Sequence, residues 1–335
     1  DKKINGKYLY CLEPTIMSSR HASLYVEACD SLFDSYAKWL EPLKKHLMEK
    51  FPKGEETDRA YNSSIKAKAC DILRGYLPAS TLTNVGLFGN GRSFEYLLTK
   101  MYSNELSEMM NIAEAMQGEL MKVIPSFVKR AKGKYGDPTI EFMAQTRAGM
   151  QKLADEKFAG TKPIDGTEVV LTDYDSDAEE RVVCACLYPH MDISLAQIKG
   201  MVKKMSGQEK AKVISEYLGR MQNRRHKPWR GFEHTYYEFD VLMNYASFRD
   251  LHRHRVMTQQ RQHLSVAHGF DLPAELSEIG AEKEFVEKME MAAEAYNKIA
   301  KDLRKEAQYV VPFAYRIRYS CYMNLRELYH LVELR

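Results

Sequence analysis

Apolar residues recur at helical spacing over 17–50, at Leu24, Ala28, Leu32, Tyr36, Trp39, Leu40, Leu43 and Leu47, and predict one long amphipathic helix. A charged loop follows at 51–58. A second helix is predicted up to Tyr76 and stops at Leu77-Pro78, because a residue before proline is pushed out of helical geometry. Residues 80–89, rich in Thr, Leu, Val, Phe and Gly, read as a short strand or turn. Asn90 is placed to cap the next helix, and a further helix covers about 103–132. Over 133–166, Gly133, Gly136-Asp-Pro138 and Gly160-Thr-Lys-Pro163-Ile-Asp-Gly166 supply turn chemistry around one short helical stretch, which reads as a linker.

The pattern then changes. Glu168-Val-Val-Leu-Thr172 reads as a strand, and 176–188 and 193–221 as helices. From His234 to Val241, Tyr236, Glu238 and Asp240 alternate with Tyr237, Phe239 and Val241, as in a half-buried strand. Residues 246–256 read as a helix, and a last pair of helices covers about 280–309 and 322–335. The domain boundary suggested by this change falls near residue 165.

Composition narrows the classes. At 335 residues two domains are the natural expectation, and 44% hydrophobic with 28% charged residues is an ordinary globular balance. A net charge of +3 is too slight to indicate nucleic acid, so any anion site must be a local cluster. Six cysteines lack any CxxC pair and read as reduced residues of a cytoplasmic protein. No apolar run approaches about 18 residues, so no membrane span is expected. The chain opens at Asp1 rather than Met and stops at Arg335 inside a helical pattern, which suggests a piece of a longer protein.

One internal repeat emerges. Pro78, Asn90, Arg92 and Leu97 recur as Pro312, Asn324, Arg326 and Leu331, each 234 residues further on. Each copy runs from a helix through a proline to Asn-x-Arg at the start of an amphipathic helix. Two unrelated helix caps with similar spacing would look the same, and the order of features is what favours a repeat.

The densest polar cluster is Arg249-Asp-Leu-His252-Arg253-His254-Arg255, followed by Thr258, Arg261 and His263. Guanidinium groups grip phosphate bidentately, and a cation beside a flavin stabilises its reduced ring, so a phosphate and a flavin both fit. A solvated basic helix end fits an isolated cluster as well. Nucleic acid is disfavoured because no interleaved aromatics follow. His226, His234, His252 and His254 match no helical metal-ligand spacing, so no metal is expected. Gly86-Leu-Phe-Gly89-Asn-Gly91 has the wrong spacing for a phosphate loop. With neither a nucleophile elbow nor a Cys/His dyad, any catalysis would fall to a cofactor.

The runs His226-Lys-Pro-Trp-Arg-Gly-Phe-Glu233-His234 and Ser247-Phe-Arg-Asp-Leu-His-Arg253-His254-Arg255 resemble the flavin-dependent thymidylate synthases. Their motif is R-H-R-x2-S-x-N-x2-S-x-R, followed later by Ala-Arg-x2-Leu-Pro and Asn-x-Arg. The resemblance implies an α+β fold with helices packed on an antiparallel sheet, in two tandem copies of which the first is incomplete. Residues 1–132 would be the latter part of one copy, 133–166 a linker, and 167–335 a second copy lacking its end. FAD would contact Arg253, His254, Arg255, His226, Asn324, Arg326 and His330, with Asn90 and Arg92 as the equivalents in the first copy. Deoxyuridylate would contact Arg74, Arg335, Asp250, Arg261 and His263, with Arg335 polarising the uracil. Methylenetetrahydrofolate would donate the carbon and NADPH the hydride.

Departures from the motif are Thr258, Gln260, His263 and Ser265 in place of Ser, Asn, Ser and Arg, with Asp250 where Gln is usual. Gln308 stands where the first copy has Arg74, and Met101 where the second has Arg335. The reciprocal losses suggest a composite site drawing on both copies, in a homo-oligomer where two tandem chains form a pseudo-tetramer. The alternative is a degenerate homologue that binds flavin or nucleotide, or acts as a scaffold, without turnover.

Overall fold

The structure is a computed structural model, and it describes residues 3, 6–164, 166 and 168–335. The chain divides into two compact units, 1–164 with 264–315, and 165–263 with 316–335. The second is interrupted by a return to the first.

Along the first unit run α1 (Pro14–Met17), α2 (Ala22–Lys50), α3 (Asp58–Leu73), α4 (Gly91–Tyr102), α5 (Ser107–Met121), α6 (Pro125–Val128) and α7 (Gly133–Phe158). The α2 stripe predicted from spacing is the one buried, with Leu32, Leu43 and Leu47 fully enclosed. Two expectations fail here. The helix expected over 103–132 breaks after Met121, where Pro125 opens a separate short helix. The short helical stretch expected within 133–166 is the 26-residue α7, which takes in the turn expected at Gly136-Asp-Pro138, while the turn expected at Gly160 is present at φ +77°. Gly133, Gly136 and Pro138 fall at the start of α7, and the remainder, Gly149 apart, is rich in strong helix formers, which outweigh them. Gly133, at φ +72°, makes the turn into it.

The second unit opens with β1 (Val169–Tyr174), α8 (Ala178–Leu187), α9 (Leu195–Val202), α10 (Gly207–Leu218), β2 (Tyr236–Asn244), α11 (Tyr245–Leu251) and β3 (Met257–Arg261). The single helix expected over 193–221 is two, because Ser206 and Glu209 form a capping box that starts a new helix. The chain then supplies α12 (Ala274–Glu278) and α13 (Glu282–Ala300) to the first unit, where Ala295 and Ile299 pack against Tyr25, Ala28 and Cys29 of α2. It closes the second unit with β4 (Arg316–Asn324) and α14 (Leu325–Leu334).

β4 was not anticipated, and the helix expected from 322 begins only at Leu325. The signal was present: Ile317, Tyr319, Cys321 and Met323 alternate as buried positions. The four strands form an antiparallel sheet in the order β1-β2-β4-β3. The observed fold is therefore α+β. Among the described residues no helix is long and apolar enough to cross a membrane.

Candidate functional site

The register of the sheet brings three separated motifs to one end of the second unit. Tyr236 of β2 lies opposite Asn324 of β4, and Met257 of β3 lies opposite Met323. The residues just before β2 (Glu233-His234), just before β3 (Arg253-His254-Arg255) and just after β4 (Leu325-Arg326-Glu327) therefore meet there. Asn324 ends β4 and caps α14, its Oδ1 accepting from the Glu327 N–H at 2.9 Å.

The triplet does not lie on a helix, contrary to the expectation for 246–256. Asn244 caps α11, which ends at Leu251, and the chain turns through His252–Val256 into β3. The turn separates the three side chains: Arg253 and Arg255 are exposed while His254 is buried. Nδ1 of His254 lies 2.7 Å from Oε1 of Glu327, with side-chain exposures of 1% and 7%. Nε2 of His254 is buried, with no hydrogen-bond partner among the described residues.

Glu327 holds the third position of α14, where the amino-terminal end of the helix dipole favours a carboxylate. One turn on, His330 lies with its ring centroid 5.3 Å from that of His254. Its Nδ1 is 3.0 Å from the Lys227 ammonium, which also pairs with Glu333 at 2.8 Å. Arg326 donates from Nε to the Pro228 carbonyl and from Nη1 to Glu233, both at 2.8 Å. Burial alone would raise the Glu233 carboxyl, but hydrogen bonds from Arg230 and Arg326 outweigh it and hold the group below the usual carboxylate range. A cavity of about 210 Å³ is lined by Lys227, Glu233, Asn324, Arg326, Glu327 and His330.

The residues expected at the nucleotide are partly assembled. Arg335 donates to the Asp250 carbonyl at 2.9 Å, and Arg253 lies 3.7 Å from the Asp250 carboxylate. Arg261 is exposed on β3 and donates to the Gln262 carbonyl, and His263 follows it, also exposed. The His252 ring lies against that of Phe248, centroids 4.5 Å apart and tilted by 57°, and burial, then the charge of Arg261, lowers its pKa. His226 is exposed, its Nδ1 accepting from the Gln222 N–H, and with Lys227 and Trp229 it lines a larger cavity of about 900 Å³.

Arg74, Asn90 and Arg92 belong to the first unit. Arg74 pairs with Asp71 at 3.6 Å, Asn90 caps α4 through the Ser93 N–H at 2.9 Å, and Arg92 pairs with Glu95 at 3.2 Å. Gln308, 234 residues after Arg74, accepts from the Leu264 N–H and donates to the Lys305 carbonyl. Sequence reasoning missed Glu327 and Lys227 as members of the cluster. Glu327 is adjacent to the recognised Asn-x-Arg and sits at the third helical position, which was the signal available.

Residues 170–335 match the sequence model of the family described as thymidylate synthase complementing protein. A UPF0159 protein of Chlamydia pneumoniae is 36% identical over 338 residues, spanning all of this chain and 64% of that protein. The chain thus spans less than two thirds of this relative's length. A UPF0159 protein of Thermoplasma acidophilum is 30% identical over 361 residues, spanning all of this chain and 70% of that protein. A crystal structure of the flavin-dependent thymidylate synthase of Helicobacter pylori with FAD and dUMP aligns at 16% identity, with a TM-score of 0.37, over 50% of this chain and 84% of that one. By the Thermoplasma relative the chain belongs to the UPF0159 proteins, and its second half matches the family described as thymidylate synthase complementing protein.

Proposed function

We propose that the second unit holds FAD and takes part in methylating dUMP to dTMP, with methylenetetrahydrofolate as carbon donor and NADPH as reductant. The observation that carries this reading is the buried His254–Glu327 pair. It ties the R-H-R turn to the Asn-x-Arg helix and leaves one buried ring nitrogen without a partner among the described residues. A buried polar atom with no partner marks a place built for something else to bind. The residues around it suit a flavin nucleotide. Arg253 and Arg255 are exposed cations for its phosphates, while Asn324, Arg326, His330 and His226 border the two cavities or cap the helix that forms one of them.

When bound, the flavin supplies the redox chemistry between NADPH and the transferred carbon. The protein's own part is binding and orientation. Arg335, anchored on the Asp250 carbonyl, would present its remaining guanidinium N–H groups to the uracil, with Arg261 and His263, on and just after β3, for the nucleotide. Asn90 and Arg92 in the first unit, and Arg74 before Leu77-Pro78, repeat the same signature. They support a tandem copy that contributes Arg74 to a composite site in an oligomer.

A second reading, flavin binding without turnover, is favoured by Thr258 and Gln260, which occupy β3 where the family motif has Ser and Asn. Two measurements separate the readings. Purified protein reconstituted with FAD is expected to absorb near about 450 nm, and absence of that band defeats both. Tritium release from labelled dUMP supports turnover; bound flavin without release favours the second reading.

A further inference from the structure

We propose that Glu327 is a positioning residue that fixes the ring proton of His254 on Nδ1 and thereby commits Nε2 to accept a hydrogen bond from the bound ligand. The inference rests on the flavin reading above, but the protonation it assigns is a property of the protein alone.

An ionised carboxylate only accepts hydrogen bonds, so the short Nδ1···Oε1 contact requires the proton on Nδ1. Glu327 stands in the first turn of α14, where the amino-terminal end of the helix dipole favours a carboxylate, and its own N–H is already taken by Asn324. In the neutral ring Nε2 is then a bare lone pair. It is buried and unpartnered among the described residues, so the carboxylate is spending its effect on an acceptor the protein itself does not use.

The neighbouring ring is set the other way. The Lys227 ammonium has only donors, so the 3.0 Å contact makes Nδ1 of His330 the acceptor and puts that ring's proton on Nε2. Two histidines with centroids 5.3 Å apart are thereby held in opposite tautomers, one offering an acceptor and the other a donor. Such a pair suits a ligand edge that alternates N–H and C=O groups, as a flavin ring does. It does not suit a phosphate, which offers acceptors only.

Glu327→Gln keeps the shape and the contact but lets the amide donate as well as accept, so His254 is released to either tautomer. The test uses ¹⁵N-histidine-labelled protein without ligand and long-range ¹H–¹⁵N correlation, assigned with His254→Gln. The wild type is expected to show a protonated Nδ1 and a bare Nε2 at His254, and Glu327→Gln a mixture. FAD affinity, from flavin fluorescence quenching, is expected to fall roughly tenfold or more in Glu327→Gln. A wild-type His254 protonated on Nε2 with Nδ1 bare overturns the proposal, as does a Glu327→Gln protein that binds FAD like the wild type. If Glu327→Gln fails to fold, the wild-type spectrum still decides the assignment. If the wild type binds no FAD, the functional reading falls while the spectrum still decides what Glu327 does to His254.

Discussion

The two Asn-x-Arg helices, α4 in the first unit and α14 in the second, begin alike and end differently. Both are capped by an Asn side chain accepting at 2.9 Å from the third helical N–H. In α4 that third residue is Ser93; in α14 it is Glu327, buried against His254. The first helical residue is Gly91 in one and Leu325 in the other. A Cβ on Gly91 would lie 2.6 Å from the Phe127 ring, whereas Leu325 packs beside Val182, Cys186 and Phe232. At the far end, Met101 is buried with Leu98, Val128 and Ala131, while the equivalent Arg335 is exposed and hydrogen-bonded to α11. The helix α4 is thus a core helix covered by α5, α6 and α7. The other keeps its polar residues at an open cavity. A cap motif fixes where a helix starts, and what packs on it afterwards decides whether it can still serve a ligand.

The comparison breaks most directly at Met101. Met101→Arg introduces the residue type found at 335 but places a charge among Leu98, Val128 and Ala131. It is expected to cost several kcal/mol and to lower the urea midpoint sharply. The reverse change, Arg335→Met, is expected to stay within about 0.5 kcal/mol in stability and to act on nucleotide binding instead. Equal stability changes in the two variants would sink the contrast.

Next in size is the buried pair. His254→Ala leaves Glu327 charged and buried without its partner, with an expected loss of about 3 kcal/mol, while Ser93→Ala should change little. Chemical denaturation of both variants checks this. Smaller again is the loss of a cap: Asn324→Ala and Asn90→Ala should each cost about 1 kcal/mol, since the two caps have the same geometry. A clear inequality between them would show that the caps differ in what they support.

A pH effect sharpens the contrast further. The Glu233 carboxyl titrates below its ordinary 4.5, so its ion pairs contribute stability above that value and lose it as pH falls through the lowered pKa. Unfolding measured from neutral pH down through this range should show a shallower acid loss in Glu233→Gln. Smallest of all, Arg92→Ala removes an exposed pair with Glu95 and should shift stability by no more than about 0.5 kcal/mol. Arg326→Ala, which loses partners at Pro228 and Glu233, should cost more.

Much of this was legible beforehand, because it is local. The α2 stripe, the Asn90 cap, the alternation of β2 and the R-H-R and Asn-x-Arg segments all repeat within a few residues and carry their own periodicity. Errors fell where two local signals competed. The Gly-Asp-Pro run at the start of α7 read as a turn although strong helix formers followed. The capping box at Ser206 was overlooked within an otherwise continuous apolar pattern.

The sequence by itself determined the α2 stripe, the Asn90 cap, the alternation of β2 and the family motifs with their departures at Thr258, Gln260, His263 and Ser265. Only the tertiary structure decided that β4 lies between β2 and β3, that residues 264–315 return to the first unit, and that the R-H-R turn is not helical. It also chose Glu327 as the partner of His254, 73 residues away. Such a pairing depends on strand register, because a shift of one residue would turn β4's buried face outward and move Asn324 from the head of α14. Periodicity along the chain carries no information about that choice, since the groups that meet are set by which strands pair and where.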